Sequence, residues 1–380
     1  MRVLHLTSSF PRSRGDSAGR FILDLTASLA AAGLDVHVLA PHDDGAATVD
    51  ELEGVAVRRF RYAPTRMEKL AYRGGLLANV RKPTRAPLVP AFVAAFRRAA
   101  IAEARRLRPD VIHAHWWFPG GVVGLAARDP DTPLLVTLHG SDVHIAGRLG
   151  LGSVARRVAY EADGVAVVSS ALRSDVATRF GLDPRRIHLL PMPVRIDQVA
   201  RWAPPPPPPL RLVTAGRLAV EKGYDVLADG LLLLRDRGVR VEWDAFGEGP
   251  EAVALATRVR SLGDDVRFHG PRTRAEIGAA LATAHALVVP SRREGLGMSA
   301  LEALHVGCPV IASATGGLVE LVEPGDGVLV TPGDPVALAD AIGRLPLPAP
   351  VGASAARHLP EQVAADHLAA YEAISEPRPG

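Results

Sequence analysis

Short, mostly apolar runs alternate along this chain with longer stretches in which apolar residues recur every three or four positions. The runs at residues 2–7, 36–40, 55–60, 111–114, 134–138 and 165–168 are too short for buried helices and read as buried strands. Between them, residues 21–32, 89–107 and 154–161 keep the helical period. Beyond residue 203 the theme repeats, with strands expected at 211–214, 239–246, 266–268, 286–289, 310–312 and 327–330, each followed by a helical stretch. Such alternation predicts parallel βαβ units, hence an α/β chain of two Rossmann-like domains with ligands at the carboxyl ends of strands. Six consecutive prolines, Pro204 to Pro209, donate no backbone hydrogen bond and predict an extended spacer. The expected division is a first domain over 1–200, a proline-rich linker over 201–209, a second domain over 210–358 and a last helix within 359–380.

Composition adds limits rather than a function. A chain of 380 residues with 48% hydrophobic and 22% charged residues can bury two cores. The single cysteine, Cys308, allows no internal disulfide framework and suits a reducing cytosol. No run is apolar enough to span a bilayer, and the opening Met1 to Thr7 reads as a first strand rather than a secretory leader. Charge is unevenly shared: residues 1–203 carry 28 Lys and Arg against 19 Asp and Glu, the remainder 16 against 22, so the halves stand at +9 and −6. Between Arg58 and Arg108 there are 14 basic residues and 2 acidic ones. This basic surface fits a solvated face or peripheral contact with an anionic inner leaflet, and the expected location is the cytoplasm. Nucleic acid is not an expected partner, because zinc-ligand spacing and RNA-recognition aromatic motifs are absent.

Two segments carry the chemistry. Pro290 to Glu302 sets Glu294 before a turn containing Gly295 and Gly297, and Glu302 in the helix that follows. Free N–H groups at a helix start face anions, and the two carboxylates accept hydrogen bonds from sugar hydroxyls. Thr214 to Gly223 follows a strand and holds Arg217 and Lys222 between Gly216 and Gly223. A guanidinium forks onto phosphate oxygens and an ammonium adds a point charge, so the pair can neutralise a departing diphosphate. His139 ends a strand in Thr-Leu-His-Gly-Ser-Asp, where Gly140 permits an immediate turn. His113 and His115 have metal-like alternate spacing, but are expected to face opposite sides of their strand, against a shared ion. Trp116 and Trp117 follow at the strand end and are candidates for the acceptor side. No metal site is assigned.

With these residues the chain resembles the retaining glycosyltransferases of the GT-B fold, in the group called family 4 or glycosyl transferases group 1. The resemblance rests on the Arg217 and Lys222 segment, on Gly247-Glu-Gly249, on Glu294 and Glu302, on Gly307 to Gly317 and on Leu138 to Asp142. It implies two Rossmann-like domains facing across a cleft, with the last helix crossing back onto the first. It further implies that Glu294 and His139 contact the donor sugar and Glu302 the ribose. The backbone of Leu296, Gly297, Met298 and Ser299 would hold the phosphates, and the base would rest near Gly247 and Gly270. Gly19 resembles the family's first glycine loop; Arg20 and Asp142 join the tryptophans as acceptor-side candidates. Two departures stand out: Leu296 replaces a frequent Phe, and Pro191 to Asp197 differs from the usual Asn-Gly-Val-Asp hinge segment.

The implied reaction moves a sugar from a nucleotide-diphosphate sugar to a hydroxyl of a lipid-linked, polysaccharide or small-molecule acceptor. It keeps anomeric configuration and needs neither metal nor cofactor. A nicotinamide dehydrogenase would carry a tight glycine-rich turn after the first strand, and residues 7–19 are too long and irregular for one. A sugar-nucleotide epimerase or hydrolase of the same fold, or a non-catalytic nucleotide-sugar-binding scaffold, are the competing readings; radiolabelled donors separate them.

Overall fold

The computed structural model describes residues 1–72, 76–80, 82–148, 150–195 and 201–376. The chain forms two compact units, Met1–Pro193 with Pro360–Gly380, and Val194–Leu359.

The first unit is built on β1 (Arg2–Leu6), β2 (Asp35–Pro41), β3 (Val49–Leu52), β4 (Val55–Phe60), β5 (Val111–His115), β6 (Leu134–Leu138), β7 (Gly164–Val167) and β8 (Ile187–Leu189). They form one sheet in the order β3-β4-β2-β1-β5-β6-β7-β8. All neighbours run parallel except β3, which pairs antiparallel with β4 at the edge. The inner strands β5, β6 and β7 are buried along their whole length, as strands covered on both faces by helices must be. The last helix, Pro360–Ser375, belongs to this unit: it packs on helix Arg20–Ala31 and buries Tyr371 and His367 against β5.

In helix Leu88–Leu107 the buried residues Phe92, Phe96, Ala100, Ala104 and Leu107 recur at helical spacing, while Arg97, Arg98 and Arg105 are exposed. Phe96 stacks on Phe60 at 4.5 Å. These arginines therefore lie on the solvent face of a helix anchored by aromatics, whereas Arg59 of the same basic stretch is buried. No helix among the described residues is long and apolar enough to cross a membrane.

The second unit contains β9 (Leu210–Ala215), β10 (Val241–Phe246), β11 (Val266–Gly270), β12 (Ala286–Val289), β13 (Val310–Ser313) and β14 (Gly327–Val330) in the all-parallel order β11-β10-β9-β12-β13-β14. Leu212 and Trp243 point into a core closed by helices Tyr224–Asp236 and Pro335–Ile342. Helix Arg274–Thr283 covers the opposite face and packs on helix Met298–Val306. The strand order reverses between β9 and β12, so the loops that follow these two strands diverge around a crevice at their carboxyl ends.

The proline run lies within the second unit rather than between units. Just before it, Ala203 N–H donates to Ala282 O at 2.8 Å and Trp202 Nε1 to Ala284 O at 2.7 Å, which ties the segment to the end of helix Arg274–Thr283. Of the segment that departs from the family's hinge, residues 196 and 197 lie outside the described residues, as do 377–380 at the end of the chain.

Candidate active site

The two motif loops of the second unit meet at its switch point. The loop after β9 turns through a short 3-10 segment, Val220–Lys222, and enters helix Tyr224–Asp236 at Gly223. The loop after β12 runs from Pro290 to Gly297 and enters helix Met298–Val306. Gly223 has φ 65°, and a Cβ built on it would stand 2.0 Å from Pro290 O. Only glycine lets the two backbones come this close. The contact puts Lys222 Nζ 2.6 Å from Glu294 Oε2, with 27% and 12% of the side chains exposed. Ser291 Oγ donates to the same carboxylate oxygen at 3.1 Å.

A second ion pair clamps the same loops. Arg292 forks onto both oxygens of Asp225 at 2.7 Å, donates to Val220 O at 3.0 Å, and its N–H donates to Glu221 O at 2.9 Å. The guanidinium's hydrogen bonds hold the Asp225 carboxyl below the usual carboxylate range. Sequence reasoning missed this pair. Its only signal was an arginine two residues before Glu294 and an aspartate opening a helix, and neither indicates a partner 67 positions away.

Helix Met298–Val306 begins without a side-chain cap, since Gly297 holds the N-cap position at φ 98°. Its first amides are thus presented at the mouth of the loop, where the helix dipole favours an anion. Leu296 and Gly297 are buried; Met298 and Ser299 are half-buried. Gly295 accepts a hydrogen bond from Gly317 N–H at 3.2 Å, and a Cβ on Gly316, at φ 55°, would fall 1.8 Å from Glu294 O. The glycine pair of Gly307 to Gly317 therefore seats the Glu294 loop. Glu302 is engaged by Arg274 Nε at 3.0 Å, and Arg274 also donates to Arg195 O at 2.7 Å.

Gly247 and Gly270 form an isolated bridge, Gly247 N–H to Gly270 O at 2.9 Å, just past the end of β10 and at the last residue of β11. Beside it His269 stacks on Phe246 at 4.6 Å and reaches Asp244 at 2.6 Å. Gly216 follows β9, its N–H donating to Phe246 O at 2.9 Å. Arg217 is exposed and forms no ion pair among the described residues. The structure thus gathers Lys222, Glu294 and the helix start at one point, and leaves Arg217 pointing into solvent.

In the first unit His139 follows β6, and its ring is flanked by Phe21 and Trp116, each with centroid 5.1 Å away. Trp116 adopts φ 63°, a backbone conformation rare for a bulky residue. The other acceptor-side candidates are occupied within the fold. Asp142 is buried and accepts from His139 and Gly140 N–H, both at 3.1 Å; burial pushes its carboxyl up to about 6. Trp117 is buried and donates through Nε1 to Asp142 O at 2.9 Å. Arg20 is held by Asp24 at 3.0 Å and Glu53 at 2.6 Å. Gly19 caps helix Arg20–Ala31 at φ 63°. Asp142 and Trp117 therefore shape the loops that carry His139 and Trp116, while Arg20 ties the start of its own helix to the turn between β3 and β4.

The expectation for His113 and His115 is corrected. Alternate strand residues share a face, and their rings stack at 4.5 Å. With His5 of the neighbouring strand they form a buried group of three imidazoles, each offering a nitrogen within 4.8 Å of the others.

Residues 209–346 match the family described as "Glycosyl transferases group 1", and residues 18–198 the one described as "Glycosyltransferase Family 4". A D-inositol 3-phosphate glycosyltransferase of Xylanimonas cellulosilytica is 31% identical over 381 residues, covering 91% of this chain and 87% of that protein. A glycogen synthase of Mycobacterium tuberculosis is 29% identical over 362 residues, covering 90% and 85%. Sucrose-phosphate synthase from Thermosynechococcus elongatus superposes with a TM-score of 0.69 at 23% identity, over 98% of this chain and 96% of that one. HepE of Anabaena, solved with UDP and glucose, gives 0.69 at 22% identity over 99% and 100%. Together with the two doubly wound sheets and the paired motif loops, these likenesses show that the chain belongs to the group 1 glycosyltransferases of the GT-B fold.

Proposed function

We propose that this enzyme is a metal-independent, retaining glycosyltransferase that transfers a sugar from a nucleotide-diphosphate sugar to an acceptor hydroxyl. The observation that carries this reading is the meeting of Lys222, Glu294 and an uncapped helix start at the switch point of the second unit. That set holds a fixed cation, a hydroxyl acceptor and an array of amides within one crevice, which is what a sugar joined to a diphosphate presents. The complexes of HepE with UDP and with UDP-glucose support this donor class.

As the bond from the anomeric carbon to the diphosphate breaks, negative charge grows on the leaving oxygen and positive charge on the sugar ring. Lys222 and the amides of Met298 and Ser299 stabilise the leaving charge, and Arg217 swings in from solvent to share it. Glu294 grips sugar hydroxyls and Glu302 the ribose, each exchanging a partner seen here for a ligand group. His139 hydrogen-bonds a substrate hydroxyl. The acceptor oxygen attacks the face that the diphosphate leaves, and its proton passes to the departing phosphate oxygen, so configuration is kept and no protein base is consumed. Fixed cations supply the charge that a divalent metal supplies elsewhere, so activity is expected to persist in EDTA; complete loss in chelator would contradict this.

Incubation with radiolabelled UDP- and GDP-sugars tests the class. Transfer to an added acceptor with release of nucleoside diphosphate is expected, and epimerisation without release, or hydrolysis alone in the presence of acceptors, would refute it. The arginines on helix Leu88–Leu107 support a further part of the proposal, docking on an anionic leaflet that carries a lipid-linked acceptor. Vesicle sedimentation should then rise with phosphatidylserine content, and indifference to it would remove that part.

A further inference from the structure

His139 heads a column of three imidazoles that runs inward through the first unit across the adjacent strands β6, β5 and β1. His139 Nε2 lies 3.2 Å from His115 Nδ1, and His115 Nε2 lies 3.1 Å from His5 Nδ1. His5 and His115 are fully buried, and His5 Nε2 has no hydrogen-bond partner among the described residues. Burial holds His5 and His139 down at about 3 and His115 well below the ordinary imidazole range, so all three are neutral near pH 7.

A neutral imidazole has one N–H and one lone pair, so His115 must donate to one neighbour and accept from the other. Only two proton arrangements of the column satisfy this. In one, every N–H points inward and the bare His5 Nε2 carries a hydrogen. In the other, every N–H points outward and the bare His5 Nε2 is a lone pair. Orphaned N–H groups in protein interiors are rarer than under-satisfied acceptors. The adjacent His367 follows the same rule: its Nδ1–H donates to Val363 O at 2.8 Å, which leaves a lone pair at its own unpartnered Nε2.

We propose that His115 and His5 are positioning residues that fix His139 in the tautomer with its proton on Nδ1, so that His139 offers a donor to a substrate oxygen. This rests on the reading above in which His139 meets substrate. His5, His113 and His115 also have the composition of a metal site. Both ring nitrogens of His113 are already engaged, however, by the hydroxyls of Tyr371 at 2.8 Å and Thr137 at 2.7 Å. A metal ion bound by all three would have to displace one of those two bonds and one of the two bonds that His115 makes to His5 and His139.

Long-range proton–nitrogen NMR on the histidine-labelled full chain reads the tautomer directly, with His139→Asn assigning the signals. A proton on Nδ1 of His139 is expected; a proton on Nε2, or stoichiometric zinc in the purified chain, overturns the proposal. In kinetics, His5→Leu should lower kcat about 10-fold with KM for the sugar nucleotide nearly unchanged, the scale of one lost hydrogen bond. His5→Asn, whose amide can still donate to His115, should restore kcat to within about 3-fold of wild type. Equal rates in the two variants overturn the proposal even if both are less stable. Wild-type activity in His139→Ala would instead remove the substrate contact and leave the tautomer measurement to decide the column.

Discussion

Lys222 and Glu294 are 72 residues apart in sequence and 2.6 Å apart in space, and each carries the charge that the other needs. In the proposed mechanism a diphosphate draws Lys222 away, while Glu294 keeps the Ser291 hydroxyl and turns its second oxygen to the sugar. Lys222→Ala should therefore leave a folded protein, at a cost of about 0–1 kcal/mol for a partly exposed pair. It should reduce kcat by roughly 100- to 1,000-fold, the scale of one lost leaving-group stabiliser. Steady-state kinetics beside a thermal melt check this, and an unchanged kcat would remove Lys222 from the mechanism. Gly316→Ala tests the seat of Glu294. The added methyl meets Glu294 O at 1.8 Å, so the loop must move, and loss of activity with a cost of about 1–3 kcal/mol is expected by denaturant titration. Lys222 and Glu294 were legible as motif residues, because the chemistry of a diphosphate limits which side chains suit it. Asp225 and Arg292 were not, because an ion pair is a property of two loops rather than of either.

At the scale of elements most strands announced themselves, the edge strands β11 and β14 included, and only the two edges of the first sheet did not. β3, Val49–Leu52, went unread because it is polar and short, and because its hairpin turns through Glu53 and Gly54 at φ 51° and 80°. A primed turn normally shows as Asn-Gly or Asp-Gly, and a glutamate in the left-handed region hides it. β8, Ile187–Leu189, is an edge strand of three residues and carries too little pattern to be seen. The Arg292 to Asp225 clamp also belongs to this scale, since it joins the loop after β12 to the helix after β9. With each side chain more than a third exposed, Arg292→Ala should cost only about 0.5–1 kcal/mol of stability. It should nevertheless lower kcat/KM for the donor about 10-fold, by letting Lys222 and Glu294 drift apart. Asp225→Ala should reproduce the loss, and wild-type kcat/KM in either variant would show that the clamp does not position the pair.

For the whole molecule, four buried imidazoles and the half-buried His139 set the acid limit. His5, His113, His115, His139 and His367 all have folded pKa values pushed down by burial, about 3 for His5 and His139 and about 4 for His367. In the unfolded chain they titrate at the ordinary value near 6.5. The unfolded state then binds more protons, so stability is full above pH 6.5 and is lost as pH falls toward 3 to 4. Each fully buried, uncoupled imidazole would cost about 2 kcal/mol between pH 6.5 and 5. Asp142, raised to about 6, acts oppositely and loses its contribution as pH rises from the carboxylate range to 6, but it is one group against five. Denaturant midpoints should fall steeply from pH 7 to pH 5, and a flat profile would show that these histidines titrate freely in the folded protein.

The amino-acid sequence by itself determined the two α/β halves, the strands covered on both faces, and the two motif loops that follow β9 and β12. Those are encoded locally, in apolar periodicity and in a few residues whose chemistry admits few uses. Only the tertiary structure decided which side chains face each other. It turned His113 and His115 to one face, closed Asp142 and Trp117 into the fold, placed the proline run in the second unit and paired Arg292 with Asp225. The physical reason is range: periodicity and turn chemistry act over a few residues, whereas burial, pairing and tautomer are fixed by neighbours brought together by strand order.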